Sequence, residues 1–212
     1  MKTQGLIRLG ICDDHPIFRE GIIATLKSFN CYSIDLIVSN ATELTISLSR
    51  AKILPHVCLI TISTLCDAYF HEALKMIKYR WPTVNVIVIS TFEGDYIVKL
   101  LLQKGAKSYF KRTVDRNELH AIVMSVFYKE YFQLESDTCK KPQPITEAPL
   151  LSLKEMEIIR FISKGWDNRI IANELHISIR TVQTHCNNIY KKLSLRTKEQ
   201  LIVFAFKNGL CD

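Results

Sequence analysis

The chain has 212 residues, 48% apolar and 23% charged with only 7 Gly and 6 Pro, which excludes collagen-like and wholly disordered chains. That length suits one large or two modest globular domains. Lys and Arg number 28 against 21 Asp and Glu, a net charge of +7, which permits an anionic partner without identifying one.

From the start to about residue 128, short β-branched runs alternate with helical patterns, as in chains that build a parallel sheet from βα units. Candidate strands are Ile7 to Cys12, Tyr32 to Val38, Val57 to Ile62, Val84 to Ser90 and Ser108 to Phe110. Helices are expected near 16–29, 41–51, 69–80, 95–103 and 116–128. In the last of these Leu119, Ile122, Val123 and Val126 share one face, with Asp115 as N-cap. Near-continuous apolar strands such as Val86-Ile87-Val88-Ile89 imply a sheet covered on both faces. The fold class expected for residues 1–128 is therefore a five-stranded, doubly wound, flavodoxin-like α/β domain whose functional crevice lies at the strand C-termini.

Residues 129–149 are polar and include Lys140-Lys141-Pro142-Gln143-Pro144, the composition of a linker. Residues 150–212 lose all strand signals. Helices are expected there near 152–164, 168–175, 179–193 and 197–208, an all-α four-helix domain with Gly165 placed to stop the first. No apolar run approaches the roughly 20 residues that span a bilayer, and Asp13 and Asp14 arrive before a signal-peptide core could form. The expectation is a cytoplasmic protein with no membrane association. Seven cysteines, an odd number with no CxxC pair, read as small core hydrophobes and not as disulfides or a zinc site.

The stretch WDNRIIANELHISIRTVQTHCNNIYKKL contains a short helix, a tight turn and a longer helix capped by Ser178. In the longer helix Val182, Cys186, Ile189 and Leu193 line one side, which leaves Gln183, Thr184, Asn187, Asn188 and Lys191 on the other. Gln and Asn offer the paired donor and acceptor that match adenine's major-groove edge, and a Thr methyl can touch that of thymine. Arg169, Arg180, Lys191, Lys192, Arg196 and Lys198 flank the row, where they can anchor phosphates, and Thr181 is grouped with them. Periodicity alone leaves an ordinary solvated helix face open as the alternative.

LSLKEMEIIRFISKG followed by DNRIIANELHISIRTVQTHCNNIYKKL closely resembles the LuxR-type helix-turn-helix of the NarL/FixJ response regulators, over essentially all of 151–210. The resemblance implies sequence-specific binding of double-stranded DNA by a homodimer, on half-sites about one helical turn apart. It puts Gln183, Thr184 and Asn187 at base-reading positions and Asn168 at a helix start where it caps, touches phosphate or does both. Asn187 stands where the family often has a basic residue. His185 matches a frequent family histidine but is expected to be structural.

Asp13 and Asp14 end the first strand, so the crevice would hold two adjacent carboxylates, a plausible hard-cation site. GICDDHPIFREGI, VIVIS and GAKSYFKR resemble the corresponding segments of receiver domains, over about residues 6–128. In a receiver the third strand ends in an aspartate that takes phosphate from a histidine kinase, with Met-Pro soon after. Here Thr61 occupies the aligned position and Thr64-Leu65 stands where Met-Pro would be. A carboxylate is an anionic nucleophile near neutral pH, whereas a threonine hydroxyl needs a base and cannot form an acyl phosphate.

By the same resemblance Ser90 and Tyr109 match the relay positions and Arg112 the family's lysine, with Lys111 one residue earlier. Arg112 is expected to pair with Asp13 or Asp14 and hold the pocket without metal or phosphate. The expectation is an atypical, non-enzymatic response regulator with no cofactor, at most weak Mg2+ binding at Asp13 and Asp14, and a pseudo-receiver used for dimerisation or for sensing something other than aspartyl phosphate. Other partners considered are a second regulator or a histidine kinase. The alternatives are a conventional phosphorelay regulator phosphorylated at a non-standard site such as Asp67, and a Mg2+-dependent phosphohydrolase built on Asp13 and Asp14.

Overall fold

Strands and helices alternate through the first 128 residues of the structure, a computed structural model that describes residues 6–63, 68–92, 94–128 and 150–210. The order is β1 (Ile7–Cys12), α1 (Pro16–Lys27), β2 (Tyr32–Val38), α2 (Ala41–Arg50), β3 (Val57–Ile62), α3 (Ala68–Arg80), β4 (Asn85–Ser90), α4 (Asp95–Lys104), β5 (Ser108–Lys111) and α5 (Arg116–Tyr128). All five strands are parallel, in the order β2-β1-β3-β4-β5. The chain reverses its direction of travel between β1 and β3, so the crevice of the open sheet lies at the carboxyl ends of those two strands.

Burial follows from position in the sheet. Inner strand β4 is buried from Val86 to Ser90, whereas edge strand β2 is buried only at its two ends. Leu9, Ile11, Leu59, Ile87, Ile89 and Phe110 of the sheet pack with Ile22 and Leu26 of α1 and with Leu119, Ile122 and Val123 of α5. Each such side chain withdraws apolar surface worth about 1.5 to 3 kcal/mol from water. Val126, expected on the same α5 face, is half-buried. The Asp115 carboxylate accepts from the backbone N–H of Asn117 (2.7 Å) and Glu118 (2.9 Å), which starts α5 where the sequence places it.

The C-terminal helices are α6 (Leu153–Ser163), α7 (Asn168–Glu174), α8 (Ile179–Leu193) and α9 (Lys198–Lys207). Each has a side-chain N-cap: a capping box of Ser152 and Glu155, then Asp167, Ser178 and Thr197. Gly165 stops α6 at φ +84°, and Trp166 N–H donates to the Phe161 carbonyl (3.1 Å), closing the last turn. Ile158, Ile159, Ile171, Val182, Ile189, Leu201 and Ala205 make the core of these helices.

By packing, the described residues form two compact units. One is the sheet with residues up to 62, 69–91 and 101–128; the other joins residues 94–100 to the C-terminal helices. Inside the second, the Asn208 side chain accepts from Ile97 N–H (3.3 Å) and donates to the Phe204 carbonyl (2.9 Å). No helix among the described residues is long and apolar enough to cross a membrane.

Candidate nucleic-acid interface and strand-end pocket

The two faces of α8 differ as the sequence predicts. Val182, Cys186 and Ile189 are buried and Leu193 half-buried, while Gln183, Thr184, Asn187, Asn188 and Lys191 are exposed. Ser178 holds the first turn by accepting from Thr181 N–H (3.0 Å), so the N-terminal end of α8, with its free N–H groups, faces outward as a formed helix. Thr184 returns its hydroxyl to the Arg180 carbonyl (2.9 Å). His185 is half-buried beside the apolar side.

Asn168 begins α7, where Asp167 caps the helix by accepting from Arg169 and Ile170 N–H (both 2.9 Å). Its Oδ1 lies 4.0 Å from Cys186 Sγ, which ties the start of α7 to the middle of α8. Asn168, Gln183, Asn187 and Lys198 come together on one groove of about 410 Å³, along with Trp166 and Tyr190. Those two aromatics are absent from the sequence reading. Trp166 stacks on Phe161 (4.6 Å between centroids), and its only signal in the sequence is an aromatic residue placed just beyond a helix stop.

Arg169, Arg180, Lys191, Arg196 and Lys198 are exposed, and so is Thr181, whose hydroxyl lies 2.8 Å from that of Ser178. Lys192 is different and corrects the expectation that it anchors phosphate. Its ammonium donates to Glu155 Oε2 (2.6 Å) and to the Leu150 carbonyl (3.1 Å). The reason is helical geometry: residue 192 lies three positions after the buried Ile189 and so turns toward α6. Burial alone would raise the Glu155 pKa, but hydrogen bonds from Lys192 and Ser152 outweigh it and hold the carboxyl below its ordinary 4.5.

At the sheet's C-terminal edge, Cys12 pairs in register with Ile60, so Asp13 lies level with Thr61 on the neighbouring strand. Thr61 is opposite Ile89 and Ile62 opposite Ser90, which in turn is opposite Lys111. Thr61 is half-buried, and Ser90 and Tyr109 are buried. Thr64, Leu65 and Asp67 lie outside the described residues.

Asp13 and Asp14, just beyond the end of β1, are unequal. The Asp13 side chain is wholly buried and that of Asp14 is 57% exposed. Asp13 Oδ1 accepts from His15 N–H (2.6 Å), and Asp14 Oδ1 lies 2.7 Å from His15 Nδ1. Ligand atoms of Asp13, Asp14 and His15 all fall within 4.8 Å of one another. Arg19 donates to the Asp13 carbonyl (2.6 Å).

The expected pair between Arg112 and an aspartate forms only in part. Arg112 Nη2 stands 3.8 Å from Asp13 Oδ2, an ion pair beyond hydrogen-bond reach. Among the described residues neither Asp13 Oδ2 nor Arg112 Nε and Nη2 has a hydrogen-bond partner. The guanidinium carbon lies over the Phe18 ring instead, 4.2 Å from its centroid. Beside this site the Cys12 thiol is pushed up to about 12 by burial and by the charges of Asp13 and Asp14, so it is an inert core group.

Residues 149–205 match the family of bacterial regulatory proteins described as the luxR family. Over 210 residues the chain is 29% identical to the response regulator protein VraR of Staphylococcus aureus, covering 96% of this chain and 98% of that one. VraR of Staphylococcus epidermidis matches with the same identity and coverage. Among solved structures, the two-component response regulator RcsB in complex with DNA aligns with a TM-score of 0.65 at 21% identity, covering 94% of this chain and 98% of that one. RcsB of Salmonella typhimurium gives a TM-score of 0.64 at 20% identity, covering 97% of this chain and all of that one. The structural matches share the fold, a five-stranded parallel sheet with helices joined to a helical LuxR-type domain.

Proposed function

We propose that this chain is a DNA-binding transcription regulator of the response-regulator type whose α/β unit works without aspartyl phosphorylation. The observation that carries the first part is α8 itself. Its capped outer row of Gln183, Thr184 and Asn187 stands opposite a buried apolar side, within residues that match the luxR family. In this reading the row meets base edges in the major groove. Arg169, Arg180, Lys191, Arg196 and Lys198, with Asn168 and Thr181, fix the register on phosphates. The protein binds as a homodimer on paired half-sites.

The second part rests on the level of β3 where a receiver carries its acceptor. Thr61 supplies no carboxylate there, and the neighbouring buried Asp13 already faces the Arg112 guanidinium at 3.8 Å. Mg2+ prefers an octahedral set of oxygen ligands with several charges. One buried carboxylate, one exposed carboxylate and a cation in the third place do not make that set, so these residues do not fit a tightly held Mg2+.

The test is selection of fragmented genomic DNA by the untreated full-length protein, with and without Mg2+ plus phosphoramidate. Equal recovery of the same fragments in both arms is the expected result. Recovery only with phosphoramidate overturns the phosphorylation-independent part. Recovery of random fragments alone overturns the base-reading row.

A further inference from the structure

We infer that the α/β unit carries a second DNA contact, indifferent to sequence, on the basic face where α3 and α4 end. This deepens the proposed function and rests on it, since it adds a surface for the same partner. Residues 73–92 and 96–114, which span most of α3, β4, α4 and β5, together carry eight Lys and Arg and no Asp or Glu. Residues 6–72 carry five Lys and Arg against seven Asp and Glu. The positive potential of the unit is therefore confined to one half of it.

The fold gathers those cations. Lys75 and Lys78, three residues apart on α3, share a helix face, and Lys78 Nζ donates to the Gln103 carbonyl near the end of α4 (3.4 Å). The stem of Lys78 runs past Gly105, where a Cβ would meet its atoms at 3.0 to 3.3 Å. Lys107 N–H donates to the Val86 carbonyl near the start of β4 (2.7 Å), and Arg80 ends α3 with its guanidinium 5.7 Å from the Trp81 ring centroid. Lys75, Lys78, Arg80 and Lys107 are exposed and Lys104 is half-buried. Among the described residues, none of the five is joined to a carboxylate by an ion pair.

Cations in a last helical turn also offset the helix dipole, which accounts for Lys78, Arg80 and Lys104. Lys75 lies before that turn of α3 and Lys107 beyond α4, so the dipole does not explain them. A polyanion does. Four of the five are lysines, flexible point charges without the rigid fork that selects one carboxylate, and such groups suit a row of phosphates. Tyr79, 74% exposed between Lys78 and Arg80, adds a hydroxyl donor. Because both units belong to one chain, a duplex held by α8 meets this face at a high effective concentration.

The experiment measures binding of the full-length protein to a labelled random-sequence duplex, several helical turns longer than a pair of half-sites, across a salt series. Lys75→Gln/Lys104→Gln/Lys107→Gln removes three charges from the face. Lys27→Gln/Arg50→Gln/Lys52→Gln removes three exposed charges from the ends of α1 and α2 and the turn that follows α2. The first variant should lower the slope of log affinity against log salt by about two to three and weaken binding at moderate salt by about tenfold or more. The second should lower the slope by less than about one. Both should keep the parent's urea midpoint. If Lys104→Gln shifts it, Lys75→Gln/Lys107→Gln, at two exposed positions, carries the test with an expected fall of about two.

An unchanged slope in the first variant overturns the inference. Equal falls in the two variants show that net charge alone counts and overturn it as well. If the first variant loses capture on phosphatidylserine vesicles while its DNA slope stays, the face serves a membrane surface and the inference fails. Asn187→Ala separates this inference from the proposed function. Unaltered operator affinity in Asn187→Ala, with the expected slope change in the lysine variant, sinks only the base-reading row. Lost operator affinity in Asn187→Ala, with an unchanged slope in the lysine variant, sinks only the second contact.

Discussion

The C-terminal helices and the sheet's strand-end pocket use polar residues in opposite ways. On α8 the polar row is exposed and backed by an apolar side, so its groups are open to solvent. At the strand ends the groups are buried and face each other: Asp13 has no exposed side-chain surface and stands 3.8 Å from Arg112 Nη2. Exposed patterns announce themselves through periodicity, since one side of the helix must be apolar. A buried pocket is assembled from residues far apart in the chain, and periodicity is silent about which of them meet.

The contrast is sharpest between two neighbours, Lys191 and Lys192. Breaking a buried ion pair by removing one partner strands the other charge. Lys192→Met should therefore cost about 3 kcal/mol of stability in urea unfolding, with Glu155 left in the core. Lys191→Met should leave stability within about 0.5 kcal/mol and instead lower the salt slope of DNA binding by about one. Exchanged outcomes would mean that α8 is rotated from its assigned orientation. The same pair sets an acid limit. Because the Glu155 carboxyl is depressed in the folded state, its stabilisation is complete above the ordinary 4.5 and is lost as pH falls below it. In Lys192→Met that part of the acid sensitivity should shrink.

Next in size are base contacts. Asn187→Ala should cost about 1 to 3 kcal/mol on a selected operator and almost nothing on random DNA, read by competition at fixed salt. Equal losses on both would demote Asn187 to a phosphate contact. Smaller still is Asp167→Ala, which removes a cap bonded to two N–H groups and should cost about 1 kcal/mol in thermal unfolding.

Most of the fold is legible in the chain because the crossovers bury the strands on both sides. Four of the five strands are long β-branched runs, and the structure moves strand ends by a single residue, to Asn85 in β4 and Lys111 in β5. The α8 row is legible for the reason given above. What escapes is tertiary. Lys192 reads as one more cation in a basic stretch until α6 is laid beside α8 and Glu155 appears opposite it. The inequality of Asp13 and Asp14 depends on what packs around the end of β1. Arg112 reads as a partner for either aspartate, whereas the structure also sets its guanidinium over Phe18, presented by α1.

The smallest expected effect is also the most direct probe of the buried region. Thr61→Asp restores the carboxylate a receiver would carry, level with Asp13 on the adjacent strand. Two carboxylates then share one guanidinium, and like charges so placed repel unless a cation joins them. The variant should lose stability in EDTA and recover it with Mg2+. Its DNA affinity should still change less than about twofold with phosphoramidate, an energy below about 0.4 kcal/mol. A large response would show that Ser90 and Tyr109 retain a working relay and that a single side chain separates this pocket from a phosphate switch. No response, with Mg2+ now bound, would show that the loss extends beyond the acceptor.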